Sequence, residues 1–143
     1  MSEAVLRTAT PADAEAIRAI IARALLAAGF PAPDTDLDAD LLDLSHYAFA
    51  GRGFWVAERD GAVIGCVALD RGTDGHGVLK RIAGEALPDL VRLATDAARV
   101  EGYRHVEAVA PPGFTGAAEA LLAAGYAPAG TPRSLLYAKW LDA

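Results

Sequence analysis

The stretch that decides the fold runs from Gly77 to Gly102, GVLKRIAGEALPDLVRLATDAARVEG. Val78-Leu79-Lys80-Arg81-Ile82-Ala83 reads as a short strand, followed by a brief turn at Gly84-Glu85-Ala86 and then a helix. Pro88 suits the first helical turn, which has no use for the missing N–H. Leu87, Leu90, Val91, Ala94 and Ala98 fall on one helical face, and Gly102 suits the left-handed residue that closes a helix. A strand feeding a helix N-terminus through a Gly-containing turn offers backbone N–H groups and a positive dipole end to an anion. A phosphate-bearing cofactor, if there is one, is expected to bind here.

Outward from that unit, the rest of the chain alternates in the same way. Ala4 to Thr8 reads as a first strand, and Thr10-Pro11 opens a helix with Thr10 as its cap. Ile17, Ile20, Ile21, Ala24 and Leu25 form the buried stripe of that helix, and Gly29 stops it. Phe30-Pro31-Ala32-Pro33 is a turn, and an acidic run, Asp34, Asp36, Asp38, Asp40 and Asp43, leads into a shorter helix with Leu37, Leu41, Leu44 and Ala48 on one side. Phe54 to Glu58 and Val63 to Leu69 form a hairpin around Asp60-Gly61, a strong tight-turn signal. Tyr103 to Ala110 alternates as a strand, with Tyr103, His105, Glu107 and Val109 on one face. Thr115 caps a helix through Ala124 with Ala118, Leu121 and Leu122 inward, and Tyr126 to Ala129 and Leu135 to Leu141 are two final strands around Gly130-Thr131-Pro132. The order predicts one α+β domain over residues 1–143, a mixed and mostly antiparallel sheet flanked by helices.

Composition narrows the function. Hydrophobic residues make up 53% of the 143 and charged residues 22%, as expected of a globular chain. The net charge of −6, with no Lys/Arg-rich run, argues against nucleic acid or an anionic membrane as partner. No apolar stretch reaches the roughly 18 residues of a membrane span, and Met1-Ser2-Glu3 is no signal-peptide start. The single cysteine, Cys66, excludes an intramolecular disulfide and makes a reducing cytoplasm the default location. Cys66 reads as a small buried hydrophobe.

This order and several local phrases resemble the GNAT superfamily of acyl-CoA-dependent N-acetyltransferases across nearly the whole chain. VLRTATPAD (Val5 to Asp13) resembles the family's opening strand and helix start, and Phe54 to Leu69 its central hairpin. Leu79-Lys80-Arg81-Ile82 resembles the fourth strand, Ala98 to Tyr103 the end of the third helix, and Leu122 to Tyr126 the end of the fourth. The resemblance implies acetyl-CoA as co-substrate, its pantetheine arm lying between splayed fourth and fifth strands, and a small amine as acceptor. By that resemblance Ile82 and Ala83 would hold the pantetheine, and Gly84, Glu85 and Ala86 would meet the pyrophosphate. Arg81-Ile82-Ala83-Gly84-Glu85-Ala86 fits the family's loop pattern of Arg/Gln-x-x-Gly-x-Gly/Ala. Two placements are open. Either Arg81 begins the loop and the strand ends near Gly75-His76-Gly77, or Val78 to Ala83 is the strand and the loop is several residues short. The Leu79-Lys80-Arg81 phrase favours the second. The tyrosine that many members carry one turn before the last helix's closing glycine is replaced here by Leu121.

Glu107, Glu58 and His76 are the candidate bases for an incoming ammonium. His105 and His46 are read as packed or exposed residues without a role, and no His/Cys/carboxylate pair has metal-ligand spacing, so no metal is expected. The acidic run either steers a cationic amine or, through Asp36 or Asp38, caps the second helix. Trp55, Phe54, Tyr47 and Phe30 are read as core. The apolar terminal strand is an edge that a homodimer would cover. The alternative to an enzyme is a non-catalytic module that keeps the fold and has lost CoA, as the short loop, Glu85 and Leu121 suggest.

Overall fold

The computed structural model describes residues 3–30, 39–41, 43–72, 75–129 and 136–141. Strand β1 (Val5–Thr8) leads through a 3-10 turn at Pro11–Asp13 into helix α1 (Ala14–Ala27). Two further 3-10 turns, Ala39–Leu41 and Leu44–Ala48, precede β2 (Gly53–Arg59), β3 (Ala62–Arg71) and β4 (Gly77–Gly84). Helix α2 (Leu87–Val100), β5 (His105–Val109), α3 (Thr115–Ala123), β6 (Ala127–Pro128) and β7 (Leu136–Trp140) complete the described chain. All seven strands form one sheet in the order β1-β2-β3-β4-β5-β7-β6. Every adjacent pair is antiparallel except β4 and β5.

The sheet is packed on both faces. On one side α2 and α3 bury Leu90, Val91, Ala94, Ala98, Ala117 and Leu121 against Leu79, Val106 and Ala108. On the other, α1 places Ile17, Ile20 and Ile21 on Val56, Cys66 and Ala68, joined by Leu41, Tyr47 and Phe54. The Asp60-Gly61 turn has both residues at positive φ (53° and 82°), the backbone that a two-residue hairpin needs to follow the strand twist. No helix among the described residues is long and apolar enough to cross a membrane.

Three expectations are corrected. The second helix is replaced by separate 3-10 turns, because Asp43 takes an extended backbone and its side chain accepts the Ser45 N–H, restarting the chain as a capped turn. Ala48 is consequently exposed and Tyr47 buried. Thr10 is the N-cap, as expected: its carbonyl accepts the Asp13 N–H at 2.9 Å, and the Asp13 carboxylate, held by Arg7 at 2.8 Å, accepts the Thr10 N–H at 2.7 Å in return. In α3 the inward residues are Ala117, Ala120 and Leu121, while Leu122 is half exposed, and Phe114 rather than Thr115 occupies the N-cap position. The terminal strand β7 lies inside the sheet between β5 and β6, so it is not the exposed edge on which a homodimer was expected. Asp34, Asp36, Asp38, Leu37, Leu135 and the Gly130-Thr131-Pro132 turn lie outside the described residues.

Candidate functional site

A gap in the sheet dominates the site. Strands β4 and β5 pair at only three positions, Gly77 with Val106, Val78 with Glu107 and Leu79 with Ala108. Past Leu79 the partner register on β3 moves from Ala68–Lys80 to Cys66–Ala83, so β4 carries one residue more than β3 over this stretch. Arg81 takes up the extra residue at φ +57°. Such a bulge bends its strand, and a non-glycine residue there costs about 1–2 kcal/mol. Three contacts hold it. The Arg81 guanidinium donates to Asp40 through Nη2 (2.6 Å) and Nε (3.2 Å), the Tyr47 hydroxyl donates to the same carboxylate, and the Cys66 thiol donates to the Arg81 carbonyl at 3.2 Å.

The divergence opens a cavity of about 280 Å³ between Ile82 and Ala83 of β4 and Val109, Pro111 and Phe114 on the β5 side, roofed by Ile21 and Leu25 of α1. That volume lies just below the ~300–1,000 Å³ of sites that enclose a drug-sized ligand. It suits a linear arm. A second hollow of about 440 Å³ opens over β2, with Trp55, Arg52, Ser45 and Thr8 in its wall. Tyr47 and Phe54 line its base from the core, as their sequence reading required.

Above the cavity, β4 runs through Gly84 and α2 begins at Leu87, so two residues connect them. The shorter of the two loop placements is therefore the observed one. The turn lies directly on β3: a Cβ on Gly84 would meet the Ile64 carbonyl oxygen at 2.3 Å, and one on Gly65 would meet the Glu85 oxygen at 2.0 Å. The Glu85 N–H donates to the Ile64 carbonyl at 2.8 Å, which removes it from any phosphate. Since the first α-helical bond runs from the Leu90 N–H to the Ala86 carbonyl, the donors at the helix start are those of Ala86 at the N-cap, Leu87 and Asp89, Pro88 having none. Two exposed carboxylates flank them, Glu85 paired with Arg59 at 3.1 Å and Asp89 with Arg92 at 3.4 Å. Leu87 is buried, and a Cβ on Gly116 would lie 3.4 Å from its Cδ1, so the N-terminal ends of α2 and α3 pack together here.

Beneath the cavity on the α1 face lies a charged network. The buried Asp70 accepts from His46 Nε2 (2.7 Å), Arg52 Nε (2.8 Å) and the Arg71 N–H (2.8 Å), and pairs with Lys80 Nζ at 2.9 Å. Burial alone would raise its carboxyl pKa, but hydrogen bonds from Lys80 and His46 outweigh it and hold the group well below the usual carboxylate range. Asp40 is set the same way: burial opposes ionisation, and the bonds from Arg81 and Tyr47 prevail. Burial pushes the Cys66 thiol up to about 12, so it is inert as a nucleophile.

Glu107 and His76 are brought together, with His105 beside them. Glu107 and His105 point from the β5 face that also carries Val109 to the cavity, and His76 immediately precedes β4. The ligand-type atoms of the three side chains all lie within 4.8 Å of one another, all half-buried. Of the two expectations for His105, packed or exposed, the structure has it packed, between His76 and Trp140. Glu58 stands apart on β2, bonded by Arg7 at 3.3 Å with β3 between it and the gap. Leu121 is fully buried, and the next tyrosine, Tyr126, is buried on Thr95 at 2.7 Å with its hydroxyl pushed up to about 12 by that burial. Neither supplies an acid at the gap. Asp40 clamps Arg81 and Asp43 caps a turn, so these two members of the acidic run are occupied structurally.

No family model matches this sequence, and no curated protein does. Solved structures match closely in shape. An acetyltransferase of the GNAT family from Staphylococcus aureus Mu50 superposes with a TM-score of 0.81 at 15% identity, over 98% of this chain and 100% of the other. The protein yncA of Salmonella typhimurium, solved with its cofactor acetyl-CoA, gives 0.74 at 20% identity over 99% and 96%. A ribosomal-protein-alanine N-acetyltransferase from Brucella melitensis gives 0.69 at 22% identity over 96% and 99%. The forked β4–β5 pair and the full-length superpositions together establish that this chain has the fold of the GNAT acetyltransferases.

Proposed function

We propose that the chain is an acetyl-CoA-dependent N-acetyltransferase acting on a small amine, with the thioester arm lying in the β4–β5 gap. The observation that carries this reading is the gap itself. Beyond Leu79 the β4 edge at Ile82 and Ala83 faces a cavity in place of a strand. An amide-bearing chain can add to such an edge as a strand would, by main-chain hydrogen bonds. The amine nitrogen attacks the thioester carbonyl carbon, the C–S bond breaks, and its electron pair leaves as the thiolate. Glu107, directly or through water, first takes one proton from the incoming ammonium to free its lone pair, and the proton that the nitrogen sheds on becoming the amide passes through water to the thiolate. Positioning supplies most of the rate in such a transfer.

A second reading, a non-catalytic module without CoA, is favoured by one feature: the turn over Gly84–Ala86 is short, and its central N–H is taken by Ile64. Calorimetric titration with acetyl-CoA separates the two. We expect saturable binding, abolished by Val109→Trp, which fills the gap, with circular dichroism unchanged. Thiol release in the presence of a panel of primary amines then identifies the acceptor. Absence of heat at millimolar acetyl-CoA would leave the module standing and the enzyme reading untenable.

A further inference from the structure

We propose that His76, His105 and Glu107 form a binding site for a divalent transition-metal ion of the zinc type. The proposal stands on the geometry of the three side chains and does not rest on the acyl-transfer reading. His105 and Glu107 are two residues apart on β5 and so point from the same face of the strand. His76 comes from the chain just before β4, whose Gly77 pairs with Val106. The parallel contact thus sets one imidazole from each side beside one carboxylate.

The distances fit an ion. The two Nδ1 atoms are 3.3 Å apart. Two Zn–N bonds of about 2.0–2.1 Å at a tetrahedral angle subtend about 3.3 Å. The imidazole rings meet edge to face, at 74° with centroids 4.5 Å apart, so the nitrogens approach without the rings stacking. A Glu107 oxygen and one ring nitrogen of each histidine all lie within 4.8 Å of one another, close enough for a half-buried side chain to close on an ion by a change of rotamer. Trp140 packs on the His105 ring at 4.3 Å and holds its plane. Two imidazoles and one carboxylate leave a fourth position to water or a ligand atom, the pattern of an open zinc site. An ion there would occupy the carboxylate that the proposed transfer uses, so the two uses of Glu107 exclude each other.

The test uses the tag-free full chain, stripped with chelator and titrated with Zn²⁺ by calorimetry in the absence of any thioester. One ion per chain is expected, at micromolar affinity or tighter. Co²⁺ in its place should give the visible absorption of a tetrahedral complex. Glu107→Gln, which keeps shape and hydrogen bonding, and His105→Ala should each weaken zinc by at least about tenfold, while His46→Ala, on the Asp70 network, should leave it unchanged. No binding, or binding equally tight in Glu107→Gln and His105→Ala, overturns the proposal. Because neither readout involves acetyl-CoA, loss of the enzyme reading would leave this result intact, and the reverse also holds.

Discussion

Asp70 shows how a single residue can be conspicuous in the structure and unremarkable in the sequence. It ends an apolar run, Val67-Ala68-Leu69-Asp70, where a charge reads as the strand's solvated end. In the fold it is buried and meets His46, Arg52 and Lys80, which come from three separate segments. No local spacing reveals that convergence. Arg81 was equally silent, because arginine has no preference for positive φ and only its tertiary clamp on Asp40 explains the conformation. Asp70→Asn should therefore destabilise the fold by about 2–3 kcal/mol at pH 7, since it leaves buried donors without their charge. The sign with pH follows from the lowered folded pKa. The stabilisation is fully present above the unfolded value of about 3.9 and is lost as pH falls toward the folded value. Urea midpoints of the two proteins should differ at pH 5 and pH 7 and draw together progressively below about pH 4. A gap that stays constant down to pH 2 would mean the charge of Asp70 is irrelevant.

The elements were the most legible scale, for a physical reason. Helix α2 has its buried residues at helical spacing, a first-turn proline and a terminal glycine, and each signal acts within one or two turns. The hairpin at Asp60-Gly61 is just as local. What the residue pattern left open was where β4 hands over to α2, because Arg81 to Ala86 satisfies both a strand end and a phosphate loop. Tertiary contact decides it, through Gly65 and Gly84 letting the turn rest on β3. This short, acid-flanked turn should contribute little to diphosphate recognition. If the proposed donor binds, acetyl-pantetheine should match acetyl-CoA within about threefold, because few donors remain for the phosphates. Replacing both Glu85 and Asp89 by their amides should then strengthen acetyl-CoA by about three- to tenfold, from charge at a helix N-terminus, and leave acetyl-pantetheine unaltered. Calorimetry on the four combinations checks both statements. Equal gains for the two donors would show that the carboxylates act on something other than the diphosphate.

At the scale of the molecule the sheet is two antiparallel halves, β1-β2-β3-β4 and β5-β7-β6, joined by the three-residue parallel contact. So slight a seam cannot hold them by hydrogen bonds alone. The helices bridge it, with one buried cluster running from Val67 and Leu79 through Leu90 and Val91 to Val106 and Leu121. The gap can therefore open at one end without the halves separating. Leu79 sits at the fork, the last β4 residue to pair with β5, and is fully buried. Leu79→Ala should cost about 2–5 kcal/mol, as large-to-small changes in a bridging core do. Leu122→Ala, at a half-exposed position on α3, should cost less than about 1 kcal/mol. If the cluster couples the halves, urea unfolding followed by tryptophan fluorescence and by far-ultraviolet circular dichroism should give one coincident transition in both variants. Trp55 on β2 and Trp140 on β7 report one half each. Two separated transitions in Leu79→Ala, with Trp140 responding before Trp55, would show that the seam and not the bridging core holds the sheet together.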